Sequence, residues 1–365
     1  MREQLQSDFD KTVKTAEISQ EEILIKKDFL NKFIESGFPN KKQEDWKFLD
    51  ISQIIKKDIS NLSFFNDYSQ SNKIDPSIYI DSLDHNKIVF TNGRIEKIDF
   101  SHEDQNKIEI IDDTKKNTSF DNKNPLIDLN SALIHKVFKI LIKKDYSLKK
   151  PLIIYHSTNE KITSTNINLR LDFELGEKSC LKLIDYFANN RTKNFLNIFY
   201  NFHLEKDSIL KNYKIDKFKN DDLKYSFNNI EQRNNSVSET FILSAGSNYF
   251  KNEINCNLNG EYSSAFINGI FSLKENQQHE IRSTVNHLVE NTKSYQLIKS
   301  VLGKNSKSAY QGRIFVNSKA QKTDGYQLSK AILLDETSEF NAKPELEIYA
   351  DDVKCSHGSA SGSLD

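Results

Sequence analysis

Apolar positions along the chain change period near residue 150. Before that point Ile23, Leu24, Phe29, Leu30, Phe33 and Ile34 recur at helical spacing, which predicts an amphipathic helix. Ser19 stands three residues before Glu22 in capping-box form, and Gly37 with Pro39 closes the helix. A second helix-like stretch is expected near Ile51 to Lys57, just after Trp46, whose large ring reads as a packing anchor. Residues 61–124 turn polar and irregular, broken by short apolar runs at Ile78–Ile80 and Lys87–Phe90. Asn92-Gly93 is a turn signal, and Ile95, Lys97 and Asp99 predict the return strand of a hairpin. Asp112 to Asn117 reads as a linker, and Leu126 to Leu141 as a helix of three or four turns.

After Pro151 the spacing becomes that of strands. Candidates are Leu152–His156, Thr165–Leu175, Cys180–Phe187, Phe195–Leu204, Leu210–Asp216, Leu223–Ile230 and Val237–Leu243. Tyr249–Leu258, Ser264–Leu273, His279–Leu288, Ala309–Val316, Ala331–Leu334 and Leu346–Ala350 follow, the last with Leu346, Ile348 and Ala350 on one buried face. A loose phrase recurs: Phe173 to Leu181, Phe202 to Leu210 and Asn257 to Ala265 each read strand, tight polar turn, Ser, strand. The class is mainly β, and the recurrence allows a sandwich, a barrel or a β-solenoid. Residues 1–145 form a mixed, largely helical N-terminal region and 146–365 the β core.

Composition narrows the function classes. Lys plus Arg is 51 and Asp plus Glu is 52, a net charge of -1, which gives no footprint for nucleic acid or an anionic membrane surface. No run approaches the roughly 20 apolar residues of a membrane span, and the first residues lack the apolar core of a secretory signal. Cys180, Cys256 and Cys355 are odd in number, widely spaced and free of any C-x-x-C pair, which fits a reducing cytoplasm rather than a disulfide framework. The Asn-x-Ser/Thr matches at Asn61, Asn117, Asn190 and Asn234 are then products of an asparagine-rich chain.

Candidate chemistry is sparse. Gly303-Lys304-Asn305 lacks the earlier glycine and the following Ser or Thr of a phosphate loop, so no bound nucleotide is expected. Nucleophile-elbow, H-E-x-x-H and dinucleotide motifs are missing as well. Near the C-terminus Cys355 and His357 stand two residues apart, so in an extended segment both side chains point the same way. They offer soft S and N donors, but zinc and iron–sulfur centres usually take four ligands. Any metal here needs further ligands from elsewhere, most economically from a partner chain; the plain alternative is an inert surface turn. His279, His287 and Cys256 read as hydrogen-bonded or solvated strand side chains that only folding could bring to a metal, and Gln311 to Ile314 with Ala320 to Asp324 as polar bridges between coils.

The stretches Lys343 to Gly358 and Gly312 to Gln327 resemble the SufB/SufD family of iron–sulfur cluster assembly proteins, with Ala350 to Gly358 closest to its SufD branch. Weaker similarity lies at Gly37-Phe38-Pro39, Glu44 to Lys47, Val89 to Arg94, Asp128 to Ala132 and around His287, Ser294 and Gln296. The resemblance implies a right-handed β-helix core behind a helical N-terminal region, and a non-enzymatic scaffold subunit. It implies a SufB-like partner, ATP hydrolysis by a SufC ATPase, and a transient cluster or iron at the partner interface. His357 matches a position implicated in cluster assembly, and Cys355 the neighbouring cysteine. Two other classes stand beside it: a β-helix enzyme acting on polysaccharides, and an interaction module with an inert Cys-x-His. Family members continue beyond the Gly362 to Asp365 phrase into a helical segment that contacts SufC; this sequence stops there, so truncation is expected.

Overall fold

Alternation of inward apolar and outward polar side chains builds most of the molecule. The computed structural model describes residues 2–16, 18–66, 76–113, 124–159, 161–188 and 192–363. It starts with α1 (Arg2–Thr15), α2 (Gln20–Ser36) and α3 (Ile51–Asp58). β1 (Asn86–Thr91), β2 (Arg94–Asp99), β3 (Ile108–Asp113), α4 (Pro125–Leu133) and β4 (Val137–Ile142) come next. Then come β5 (Leu152–Ser157), β6 (Asn166–Leu175), β7 (Cys180–Phe187), β8 (Phe195–Leu204), β9 (Ile209–Asp216), β10 (Asn220–Gln232) and β11 (Val237–Ser244). β12 (Ser247–Leu258), β13 (Ser264–Leu273), β14 (Gln278–His287), β15 (Lys293–Leu302), β16 (Lys307–Val316), β17 (Thr323–Leu333), β18 (Glu339–Ile348) and β19 (Val353–Ser363) complete the chain.

From β4 onward, even-numbered strands pair in parallel with even and odd with odd, giving one nine-stranded and one ten-stranded sheet. This is a β-solenoid: each even–odd pair is one coil, stacked in register on the next. One interior column runs Ile140, Phe173, Phe202, Ile230, Cys256, Val285, Ile314 and Leu346. Every member except Leu346 is buried, and the Phe173 and Phe202 rings stack at 5.0 Å. Only neighbouring coils touch along such a column, so stability is a sum of coil-to-coil interfaces.

The recurring serine is explained at the corners. A residue in the left-handed conformation precedes a buried Ser or Thr at Lys178-Ser179, Asp207-Ser208, Asn235-Ser236, Tyr262-Ser263, Asn291-Thr292, Asn305-Ser306 and Lys322-Thr323. Ser208, Ser236 and Ser263 each donate to the carbonyl three residues back, at 2.6, 2.7 and 2.6 Å. The left-handed residue turns its own N–H along the stack: Lys178 donates to Lys206 O, Asp207 to Asn234 O and Asn235 to Glu261 O, at 3.0, 3.0 and 2.9 Å. The Ser208, Ser236 and Ser263 corners thus satisfy their hydroxyls within the coil, and the left-handed residues at 178, 207 and 235 bind each coil to the next.

The helices cover one outer face of the nine-stranded sheet. Ser19 caps α2 with the reciprocal Glu22 bond, as the sequence predicts. Phe29, Leu30 and Phe33 of α2, with α4, pack on Phe195, Phe199, Leu223, Tyr225 and Phe227 of β8 and β10. Trp46 is buried, 5.4 Å from the Tyr225 ring, with the Lys251 ammonium 4.2 Å from its centroid. No helix among the described residues is long and apolar enough to cross a membrane.

Several boundaries differ from the sequence expectation. The helix expected over Leu126 to Leu141 ends at Leu133, and Val137–Ile142 is a strand between β3 and β6. Val137, Phe138, Ile140 and Ile142 are large or β-branched, and two strand partners outweigh helical spacing. Asp112 and Asp113 close β3 rather than opening a linker; residues 114–117 lie outside the described residues. β18 ends at Ile348, which is 39% exposed, so the expected buried face of Leu346 to Ala350 is only partly covered. The sequence reading assigns no helix to α1, no strand to β15 or β19, and only the ends of β17 and β18. The predicted Asn92-Gly93 hairpin is present as β1–β2.

Candidate functional site

Cys355 and His357 lie on β19, an edge strand of the ten-stranded sheet. In register, Cys355 faces Gly325 and His357 faces Gln327 on β17. Both are therefore on one face of the strand, as their spacing predicts. Cys355 is half-buried, packing with Val353, Leu346 and Ala350 on Ile314, Val316 and Ala320. A Cβ at position 325 would lie 3.3 Å from its Sγ, so the missing side chain of Gly325 gives the sulfur its seat. Burial pushes the thiol above its ordinary value, against the backbone hydrogen bond at Gly325 and with help from the Asp324 carboxylate. His357 is exposed.

Polar side chains tie the last coils to one another. Ser329 Oγ donates to Ser359 Oγ at 3.1 Å, and Asp352 N donates to Gln321 Oε1 at 2.9 Å. Arg313 pairs with Glu347 across β16 and β18, and Gln311 Nε2 donates to Glu280 Oε1 at 2.7 Å. The bridging role expected of Gln311, Arg313 and Gln321 is what their side chains do.

Among the described residues no group of three or more His, Cys, Asp or Glu is placed to hold a metal ion. The pair fits a metal or cluster as two soft donors of an incomplete set. The other candidates are used elsewhere. Cys256 is buried, donates to Gln232 Oε1 at 3.1 Å, and its thiol is pushed up to about 12 by burial. Cys180 is half-buried on β7, its thiol also raised by burial. All three cysteines are free. A thiol reagent on the native chain is therefore expected to modify Cys180 and Cys355 slowly and Cys256 only after unfolding, read by mass spectrometry. Rapid labelling of Cys256 would contradict its place in the core.

His279 and His287 are buried and hydrogen-bonded, so of the two readings the sequence left open the structure takes the hydrogen-bonded one and not the solvated one. His279 donates from Nε2 to Ser247 O at 2.6 Å and accepts at Nδ1 from Ser244 Oγ at 2.7 Å. His287 bonds Thr292 Oγ1 and Ser294 Oγ at 2.7 and 2.9 Å. Burial lowers both to about 4. Their neutral-state contribution to stability is complete above about pH 6.5, the ordinary imidazole value, and is lost as pH falls towards 4, because only the unfolded chain takes up the proton there. Burial raises Asp222 to about 6, which acts in the opposite sense over the same window. A His279→Gln/His287→Gln chain is expected to lose less stability than wild type between pH 6.5 and 4, measured by urea titration. Parallel curves would refute the assignment.

Comparison with known proteins bears on the whole arrangement. Residues 156–365, more than half of the chain, match the family model described as SUF system FeS cluster assembly, SufBD core domain. The iron–sulfur cluster assembly protein SufD of Escherichia coli (strain K12) is 25% identical over 350 residues, 92% of this chain and 79% of that protein.

Proposed function

This chain belongs to the SufBD core family of the SUF iron–sulfur cluster assembly system, and from that premise we propose that it is a SufD-like scaffold subunit that shares a cluster-building face with a SufB-like solenoid. The supporting observation is the incomplete ligand set. Cys355 and His357 sit together on an edge strand, one half-buried and one exposed, with no third ligand gathered around them among the described residues. A neutral imidazole and a thiolate suit iron, and binding requires His357 without its second ring proton and Cys355 without its thiol proton. The nascent cluster is the cargo, and the remaining ligands come from the partner. A SufC ATPase supplies hydrolysis, since this sequence carries no phosphate loop. The site of action is the cytoplasm, where three free thiols persist. The division at residue 145, with the earlier part bracing the coils and the later part carrying the ligand edge, belongs to the same proposal.

The test mixes the purified chain with SufB-like and SufC proteins of its own cell under anaerobic conditions. Co-elution of the three, with iron and acid-labile sulfide in the recovered complex, is expected. A complex that loads neither, or a chain that loads a full complement alone, would overturn the shared face.

A further inference from the structure

The solenoid interior changes character towards its last coils. On β13 the inward positions are Ala265, Ile267, Gly269, Phe271 and Leu273. On β15 Ser294 and Gln296 take the places next to Ala265 and Ile267. On β17 these become Gly325 and Gln327, followed by Ser329, and on β19 Cys355, His357 and Ser359. Ile267, Gln296, Gln327 and His357 therefore form one column, whose polar end is the candidate site.

Hydrogen bonding in this column is half met at one level, where Gln296 Nε2 has no partner among the described residues, and open at the next. Gln296 Oε1 accepts from Ser283 Oγ at 2.5 Å and Tyr310 Oη at 3.1 Å. Gln327 is only 1% exposed, yet neither its carboxamide nitrogen nor its oxygen has a hydrogen-bond partner among the described residues. Buried carboxamides are normally paired. The seat is shaped for this side chain: a Cβ on Gly312 would lie 2.5 Å from Gln327 Oε1 and 2.5 Å from Tyr310 Oη. One strand spacing above, His357 projects from the same face with no side-chain hydrogen bond of its own among the described residues. A ligating histidine almost always has its second ring nitrogen held by a hydrogen bond, which fixes the tautomer and the ring plane.

We propose that Gln327 is the positioning residue of this site: its carboxamide, unpartnered in this structure, turns to one ring nitrogen of His357 and so frees the other, correctly oriented, for the metal. This rests on the ligand reading of His357 given above. Gln327 touches neither metal nor sulfide and acts through the imidazole.

The test has two readouts. In the full apo chain, selectively 15N-labelled at histidine, the His357 ring is expected to show one dominant neutral tautomer, and Gln327→Leu a mixture. Gln327→Glu, which keeps an acceptor at the same reach, should restore a single tautomer. In the complex with the SufB-like partner, titrated with Co(II) as probe, Gln327→Leu should weaken binding about 10- to 100-fold, with Gln327→Glu nearer to wild type. If His357→Ala leaves Co(II) affinity unchanged, the ligand reading fails, and the tautomer ratio alone decides whether Gln327 holds the ring. If His357→Ala abolishes binding while Gln327→Leu preserves both tautomer and affinity, the positioning role is overturned. Gly312→Ala, which crowds the carboxamide from the opposite side and leaves Gln327 in place, should reproduce the mixed tautomer.

Discussion

Replacing His357 with Ala is expected to cut iron and sulfide in the recovered assembly complex about tenfold or more, with the thermal transition of the chain unchanged. The side chain is exposed and makes no hydrogen bond among the described residues, so its removal leaves no cavity and no orphaned group, and such surface changes stay within about 0.5 kcal/mol. On the proposed ligand role, loss of the imidazole leaves one donor of two. Cys355→Ala should lower loading by a similar or smaller factor and destabilise slightly, because the thiol packs on Gly325 and Ile314. Analysis of iron and acid-labile sulfide with a parallel melting curve separates the two effects. Wild-type loading from His357→Ala would remove the metal role altogether.

The largest effect on stability is expected far from that edge. Asp185 on β7 is fully buried and accepts from Lys214 Nζ at 2.6 Å, Tyr200 Oη at 2.7 Å and His156 Nε2 at 2.5 Å. The Lys214 ammonium also lies 3.6 Å from the Tyr200 ring centroid. Burial alone would raise the Asp185 carboxyl, but Lys214 and His156 outweigh it and hold the group well below the usual carboxylate range. Its contribution is therefore present above about pH 4 and is lost below it. Asp185→Ala strands the buried Lys214 cation, which should cost about 3–5 kcal/mol. A double replacement, Asp185→Leu with Lys214→Met, removes both charges and should recover most of the loss. Urea unfolding of the two variants decides: if the double variant is no more stable than the single one, the stranded charge is not the cause.

Legibility in the sequence followed the polarity of the interior. Where inward positions are Phe, Ile and Leu, as at Phe173, Phe202 and Leu258, strand ends were placed within a few residues. β15 and β19 were invisible because the positions in register with the interior columns are Ser294, Gln296, Cys355, His357 and Ser359, and alternation of polar with polar carries no hydrophobic period. Cys355 and His357 could be singled out by donor chemistry and spacing, and by resemblance. Gln327 could not, since a glutamine between Tyr326 and Leu328 looks solvent-facing until the register turns it inside. The buried pairing of Asp185 with Lys214 depends on two strands 29 residues apart in sequence, a separation that no local pattern reports. The single helix expected from Leu126 to Leu141 failed for a related reason: its second half is decided by β3 and β6, not by its own spacing.

The coil-to-coil register also sets an order in time. Each interior contact, such as Cys256 with Val285 or Val285 with Ile314, joins positions about thirty apart along the chain. During synthesis a coil can dock as soon as it leaves the ribosome, because its template has already emerged and nothing later is required. Among the described residues β19 pairs with β17 alone and is the last strand of the stack to find its place. Cys355 and His357 are thus displayed only on a scaffold whose earlier coils have formed, and a nascent chain stalled before residue 353 lacks the strand that carries them.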